Sequence, residues 1–563
     1  MQEQEYLDTL KTLHAQAWPA GHAREPEYPL GQRPLTSYLQ HWAQVTPSKP
    51  AVQFYGHELS YAELEDQSNR FAALLLDQGV QPGDRVAVFM PNCPQLHIAF
   101  YGILKSGAIH APVSPMAMGM ELSYQLQDSG ATVMVCFDQL LPVVRSIRAE
   151  TDLRVLISTS LSELCPATPP IPVPDLLLAP KLPITDSIDL LPALAATEPL
   201  TDIPEPQLDD IAALNYTGGT TGLPKGCIHT HGDMLYTCAS FVPATTGLDA
   251  NRVSLNFMPE FWIAGENAGL LFPVFGGNTL VLLARWDATT FMAAVQHYGV
   301  NHTGLLVDSA AEILSHPQRH DYDLSSLQIT SCVSFIKKLT PEYRRRWHEL
   351  TGCTLFESAF GMTETHTCDT FTAGLQEDNF DLKSAPTFVG LPVPGTEFKV
   401  CDFETGELLP LGSEGELCVR TPSLFKGYWN KPEATAEAIR GGWLHTGDSG
   451  VITEQGFIRY LGRRKEMLKV NGMSVFPSEL ESMLGQHPEL LASAVIGKPD
   501  PKRGESPLAF VVITPGSTAT AETLVAWCRE VMAGYKVPEV RIVDSLPMTA
   551  TGKVKKNELK EWI

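Results

Sequence analysis

Between Arg85 and Cys136 apolar runs of strand length alternate with stretches patterned as helices, and this alternation limits the fold more than any other feature of the chain. Arg85-Val-Ala-Val-Phe-Met90 reads as a strand, Pro94–Lys105 as a helix and Ala108–Val113 as a strand. Glu121–Asp128 follows as a helix and Ala131–Cys136 as another strand. The expected fold class is therefore α/β. Upstream, Ser60 and Glu63 stand at capping-box spacing, and Tyr61, Leu64, Phe71 and Leu75 fall near one helical face. At 563 residues, 44% of them hydrophobic and 19% charged, the chain has the apolar content of a globular core. Its length corresponds to roughly three to four average domains, fewer if the subdomains are large.

A second stretch carries chemistry. Ile211–Tyr216 is an apolar run of strand length, and Thr217-Gly218-Gly219-Thr220-Thr221-Gly222-Leu223-Pro224-Lys225-Gly226 leads to a second short run, Cys227–His231. Glycines let backbone N–H groups turn inward, threonines add O–H donors, and Lys225 supplies positive charge, which together suit an anion. The P-loop spacing is absent, since Lys225 follows Pro224 and precedes Gly226. A phosphate loop of another design is one reading; a Gly/Thr-rich surface turn is the other.

The formal net charge of −23 argues against nucleic acid as a bulk partner but leaves room for an anionic ligand in a locally positive pocket. Eleven cysteines are scattered with no C-x-x-C and no zinc spacing, as expected of free thiols in a reducing compartment. Met1–Glu5 is acidic and lacks the segments of a signal peptide, and no run approaches the length of a membrane span, so a cytoplasmic location is expected. Residues 1–35 read as a variable lead-in with one short amphipathic helix. Between 165 and 206, Pro166, Pro169, Pro170, Pro172, Pro174, Pro180, Pro204 and Pro206 interrupt Leu-rich runs, giving an irregular connection between α/β subdomains. The basic cluster Lys337, Lys338 and Arg344-Arg345-Arg346 reads as a solvated helix face, with contact to the phosphates of a ligand as the sharper alternative. Strands are expected at Leu491–Ile496 and Leu508–Ile513, and a helix at Thr520–Met532.

Further motifs follow in order: Phe360-Gly361-Met362-Thr363-Glu364, Gly415-Glu416-Leu417, Lys426-Gly427-Tyr428-Trp429, Trp443-Leu444-His445-Thr446-Gly447-Asp448, Gly462-Arg463-Arg464-Lys465-Glu466-Met467-Leu468-Lys469, and Pro547 to Lys553. With the Thr217–Gly226 loop, this series resembles the adenylate-forming superfamily of acyl-CoA synthetases, peptide-synthetase adenylation domains and luciferases. The resemblance runs from about residue 35 to the end. It implies a large N-terminal domain of α/β subdomains plus a β-barrel-like subdomain (1–462), and a small mobile α+β C-terminal domain (463–563) hinged near Lys465.

The same resemblance implies roles. Thr217, Gly218, Gly219, Thr220, Thr221 and Gly222 cradle phosphate beside Lys225. Phe360, Gly361 and Met362 border the adenine, Thr363 contacts phosphate, and Glu364 helps hold Mg²⁺, a task that suits a hard carboxylate oxygen. Asp448 accepts from the ribose hydroxyls. Arg463 reaches the ribose or phosphate, and Lys469 belongs to the same nucleotide-binding set. Lys553 is the catalytic lysine, with Glu364 and Lys225 beside it. The substrates would be a carboxylic acid, ATP and CoA, with Mg²⁺. A homodimer is compatible with the resemblance.

Departures from the pattern fall in the acyl pocket. Trp262 stands where a histidine is frequent, either as a gate that shortens the pocket or as core. Ser331-Cys332-Val333-Ser334-Phe335 replaces the usual small-residue segment, so Val333 and Ser334 become pocket residues together with Ala359, where glycine is common. Glu260 and Glu266 read as solvated or hydrogen-bonded carboxylates, or as partners of a cationic substrate. The implied activity is acyl-CoA ligation of a fatty or aryl acid. Ten residues follow Lys553, so no fused carrier domain is expected, which favours CoA as acceptor. A free-standing enzyme loading a carrier protein is the nearest alternative. A luciferase-like oxygenase shares the motifs, and a non-catalytic nucleotide-binding regulator is the remote reading.

Overall fold

A computed structural model describes residues 2–563 apart from 202, 218–222, 336, 359, 385, 386, 472, 550 and 551. Two seven-stranded, mostly parallel sheets form its bulk. The first runs in the order Ile188–Asp189, Val155–Thr159, Val133–Phe137, Arg85–Phe89, Ile109–Pro112, Ile211–Tyr216, Gly226–Thr230, with the last pair antiparallel. The second is ordered Leu355–Glu357, Ile329–Val333, His302–Leu306, Val253–Asn256, Thr279–Leu282, Pro50–Phe54, His57–Ser60 and ends in the Pro50–Ser60 hairpin. Strand periodicity sorts the apolar side chains. Val86 and Val88 join the large core shared by both sheets, while Ala87 and Phe89 face a smaller core under the helices Gly119–Ser129 and Leu141–Ile147.

The helix Pro94–Lys105 has every residue buried. It packs against the strands Arg85–Phe89 and Ile109–Pro112 of the first sheet, and Tyr101 Oη donates to Leu270 O on the second sheet's side at 2.6 Å. A helix buried on all sides has no solvent face to offer, which explains its mostly apolar sequence, and its polar residues Gln95, His97 and Lys105 are hydrogen-bonded inside the protein. Ser60 caps the helix Tyr61–Asp77 as expected: Glu63 Oε2 accepts from Ser60 N–H at 2.8 Å.

An antiparallel sheet follows, in the order Thr370–Phe371, Phe388–Pro392, Ile458–Arg463, Trp443–Ile452, Glu414–Arg420, Glu397–Cys401. Its two end strands do not pair with each other, so the barrel-like subdomain is an open half-barrel. A separate mixed sheet of Met473–Val475, Leu468–Val470, Gly504–Ile513, Leu490–Asp500 and Glu539–Ile542, with the helix Ala521–Val531 on its face, forms the C-terminal α+β unit. The α/β expectation with a distinct C-terminal unit is met.

Two readings need correction. The expected lead-in helix is Glu3–Ala17, 15 residues long, and its apolar face belongs to a core rather than standing apart from the fold. Tyr6, Leu7 and Leu10 are buried against Phe398, Val400 and Trp443 of the half-barrel, and Glu3 accepts from Lys399 Nζ at 2.6 Å. The proline-rich stretch connects two strands of the first sheet, Val155–Thr159 and Ile211–Tyr216, rather than two subdomains. It supplies the edge strand Ile188–Asp189 and the helix Leu190–Ala196. Pro192 is tolerated there because first-turn N–H groups have no intrahelical acceptor.

The basic cluster divides. Arg345 is exposed and pairs with Glu342 and Glu349, as a solvated face would, but Arg344 is buried and grips Asp381 through two hydrogen bonds of 2.8 and 2.5 Å.

Candidate active site

Segments at the ends of several strands carry the candidate residues. The strand Ile211–Tyr216 delivers Thr217, whose N–H donates to Lys225 O at 3.0 Å, while Lys225 N–H donates to Thr217 Oγ1 at 3.2 Å. These two bonds clamp the base of the loop; Gly218, Gly219, Thr220, Thr221 and Gly222 lie outside the described residues. Tyr124 Oη fastens the loop's far limb by donating to Pro224 O at 2.9 Å.

Lys225 Nζ sits 4.1 Å above the centre of the Tyr428 ring, and Tyr428 Oη donates to Glu364 Oε1 at 2.7 Å. Tyr428 thus links the lysine of one motif to the carboxylate of another. It arrives there because Gly427 O, Gly226 O and Ile228 O exchange backbone hydrogen bonds between the segment 426–429 and the strand Gly226–Thr230. Burial and the neighbouring Glu364 hold the phenol far above its ordinary range, so it donates at any physiological pH. Sequence reasoning assigned Lys426–Trp429 no role in the site and missed this contact. The one available signal was an aromatic two residues after a lysine in a motif the family shares.

Phe360 packs edge-on to Phe398 and, at 5.7 Å between ring centres, against Tyr460. Gly361 is required where it stands, because a Cβ would lie 2.4 Å from Cys368 N. Met362 is buried, and Thr363–Thr365 form a single 3-10 turn that leaves Glu364 half-buried.

Asp448 and Arg463 face each other across adjacent strands of the half-barrel, with Arg463 Nε 2.9 Å from Asp448 Oδ1. That oxygen has no aligned hydrogen bond, so the buried carboxylate keeps acceptor capacity for a ligand. Burial pushes Asp448 up to about 7, against the opposing pull of Arg463.

Lys553 enters from the C-terminal unit on a tight hairpin closed by Thr549 N–H to Lys553 O at 2.7 Å, with Gly552 at φ 78°. Its amine reaches solvent, yet the surrounding protein mass and then Arg463 lower it from the ordinary lysine value, while Asp448, Glu364 and Glu466 pull the other way. Nζ lies 5.5 Å from the Phe335 ring, and Phe335 in turn lies 5.9 Å from Trp262. Trp262, Phe335 and Lys553 therefore stand in series, and Phe335 is a second residue absent from the expected set. Val333 ends its strand beside this row. Ser334 spends its N–H and Oγ on Glu357, at 3.0 and 2.8 Å, and shapes the turn. Ala359 lies outside the described residues.

Lys465 is exposed in the turn Arg464–Glu466, and Lys469 Nζ donates to Ser474 Oγ within its own hairpin at 3.0 Å. Glu260 and Glu266 are both buried and hydrogen-bonded. Glu260 Oε1 is 3.1 Å from His97 Nε2, and Glu266 accepts from Asn215 Nδ2 at 2.8 Å. Burial raises Glu266 to about 8, so its carboxyl is largely uncharged at neutral pH. The cationic-substrate reading of these two carboxyls has no solvent-facing surface to act through.

The model of the AMP-binding enzyme family matches residues 39–429, and that of the AMP-binding enzyme C-terminal domain matches residues 479–553. The chain belongs to the AMP-binding enzyme family. A long-chain-fatty-acid–CoA ligase of Bacillus subtilis (strain 168) is 34% identical over 551 residues, spanning 95% of both chains. A feruloyl-CoA synthase of an Amycolatopsis species is 32% identical over 527 residues, 93% of this chain and 98% of the relative. Among solved structures, an anthranilate CoA ligase in complex with anthranoyl-AMP superposes with a TM-score of 0.82 at 26% identity, over 94% of this chain and 97% of that one. Family membership and this superposition agree with the half-barrel and the separate C-terminal unit described above. No helix among the described residues is long and apolar enough to cross a membrane.

Proposed function

We propose that this protein is an AMP-forming acid–thiol ligase that activates a carboxylic acid with ATP and transfers the acyl group to the thiol of CoA. The observation that carries the reading is the meeting of Lys225, Glu364, Asp448, Arg463 and Lys553, each brought by a different motif, around Tyr428 and the half-barrel edge.

A carboxylate is a poor electrophile, and its oxide is a poor leaving group. In the first step a carboxylate oxygen attacks the α-phosphorus of ATP, the bond to the bridging oxygen breaks, and pyrophosphate leaves. Anions are brought together, so fixed positive charge must be waiting. Lys553 meets the charge developing between acid and α-phosphate. Lys225, Thr217, Thr363 and the Gly218–Gly222 loop hold the phosphates. Asp448 accepts from the ribose hydroxyls beside Arg463, and Phe360, Gly361 and Met362 border the base. Glu364 fits a hard divalent ion, being a half-buried carboxylate with one hydrogen bond from Tyr428. Mg²⁺ bound there supplies positive charge to the phosphate oxygens.

In the second step the thiolate sulfur attacks the acyl carbon, the bond to AMP breaks, and the thiol proton is lost to solvent. Lys553 has no role there, and rotation of the C-terminal unit about Lys465 would withdraw it. Domain limits of 1–462 and 463–563 follow from that hinge. The row Trp262–Phe335 gives the acid an apolar border, in keeping with a fatty or aryl acid. The eleven free cysteines suit the cytoplasm.

The test is a mass-spectrometric product assay with Mg-ATP and a panel of fatty and aryl acids, run with and without CoA. An acyl-CoA from one acid class is the expected product. Acyl-AMP that accumulates and ignores CoA would replace this reading with carrier loading.

A further inference from the structure

Behind Glu364 the backbone takes an uncommon course. His366, Thr367 and Cys368 all have positive φ, at 59°, 63° and 66°. Three successive non-glycine residues in the left-handed region are sterically unfavourable, and such a turn persists only where its surroundings over-determine it. Here they do. Asn267 Nδ2 donates to His366 O at 3.0 Å and Ser423 Oγ to Thr365 O at 2.9 Å, while His229 Nε2 lies 2.8 Å from Thr363 O. Asn267 opens the π-helical turn Asn267–Leu271, a local widening of the helix that brings its amide to this carbonyl.

The His366 ring is wholly buried, edge-on to His229 at 4.7 Å between centres, with Nε2 3.7 Å from Glu266 Oε1. Glu266 Oε2 accepts from Asn215 Nδ2 at 2.8 Å. Asn215 stands two residues before Thr217, at the root of the phosphate loop. Glu266 therefore touches both segments that the adenylation reading assigns to phosphate and metal, from beneath and out of reach of either ligand.

We propose that Glu266 and His366 are positioning residues that set the spacing between the phosphate loop and Glu364. Glu266 lies between the two: one carboxyl oxygen accepts from Asn215 on the loop side, and the other, with no hydrogen-bond partner among the described residues, faces at 3.7 Å the ring of the residue that opens the left-handed turn on the Glu364 side. The inference rests on the adenylating reading of the site.

The experiment compares parent, Glu266→Ala, Glu266→Gln and His366→Asn for ATP affinity by calorimetry, with excess Mg²⁺ and with EDTA, and for the kcat and KM of pyrophosphate release. Asparagine tolerates the left-handed backbone but lacks the ring, so His366→Asn carries the test should Glu266→Ala fail to fold. We expect Glu266→Ala and His366→Asn each to lose about tenfold in kcat and in the Mg²⁺-dependent gain of ATP affinity, the equivalent of ~1.4 kcal/mol. Affinity in EDTA should hold within about twofold of the parent, well below that tenfold step. Glu266→Gln, which keeps shape and hydrogen-bonding groups, should recover most of the loss. A variant that loses affinity equally with and without Mg²⁺, or parent-like values in Glu266→Ala and His366→Asn, would overturn the inference alone. A parent enzyme without Mg²⁺-dependent ATP binding would overturn the adenylating reading and this inference with it.

Discussion

Replacing Tyr428 by phenylalanine removes one oxygen from the centre of the site and leaves the ring in place. The lost bond is Tyr428 Oη to Glu364 Oε1, 2.7 Å long. A hydrogen bond to a charged group contributes about 1.5–3 kcal/mol. Glu364 is half-buried, so water can take the vacated position, and the lower end applies: ~1.5 kcal/mol, or about a tenfold fall in the Mg²⁺-dependent rate of pyrophosphate release. The ring still lies under Lys225, 4.1 Å from Nζ, so that contact survives. Tyr428→Leu removes it as well, adding about 0.5–1 kcal/mol and a further two- to fivefold loss. The assay is pyrophosphate release at saturating acid with Mg²⁺ titrated, since a loosened Glu364 should raise the Mg²⁺ concentration at half-maximal rate. A Tyr428→Phe enzyme within about twofold of the parent, beside an impaired Tyr428→Leu enzyme, would show that Tyr428 contributes packing and not carboxylate placement.

Lys553→Ala should slow adenylation by about 2.7–4 kcal/mol, 10²–10³-fold, and leave thioester formation from supplied acyl-AMP near the parent rate; equal losses in both half-reactions, followed by stopped-flow, would contradict its assignment. The raised Asp448 gives a pH prediction. Above about 7 its ionised carboxylate accepts from the ribose, and as pH falls through that value the protonated group loses acceptor capacity. ATP affinity measured by calorimetry should therefore drop between pH 8 and 6, and Asp448→Asn should flatten the profile. Leu10→Ala, in the N-terminal helix, should destabilise the protein by about 2–5 kcal/mol in urea unfolding, because its side chain is buried against the half-barrel. A cost near zero would return that helix to the status of a lead-in.

The elements most legible in the sequence were those whose information is local. The helix Pro94–Lys105 and the strand Ile211–Tyr216 have the bounds their apolar patterns predict, and Ser60 caps the helix its spacing indicates. The residues of Phe360–Glu364, Asp448, Arg463 and Lys553 were legible too, as motifs. Their mutual contacts were not, because a contact such as Tyr428 to Glu364 depends on how a loop of one sheet pairs with the edge strand of another. The same limit hid Phe335 between Trp262 and Lys553. It also hid Arg344, whose charge suggested solvent although Asp381, 37 positions away, encloses it. The N-terminal helix was underestimated for a related reason: its apolar face is short, and only the half-barrel reveals what it covers. In the proline-rich stretch, composition outweighed position. Prolines block a helix interior, but they are harmless in a first turn or beside a two-residue edge strand.

The helix Pro94–Lys105, packed between the first sheet and the helix Tyr61–Asp77 and bonded to Leu270 and Glu260 on the second sheet's side, has a consequence for how the chain reaches its native state. A segment buried on every side cannot be shielded by the first sheet alone, and the second sheet cannot close its core without it. The two α/β layers, which share one core, are thus one cooperative unit rather than two foldons, despite their equal strand counts. A fragment ended between Thr246 and Val253 would contain all seven strands of the first sheet and still leave Tyr101 and His97 of that helix without Leu270 and Glu260. It should behave as a collapsed, dye-binding species and not as a half-protein.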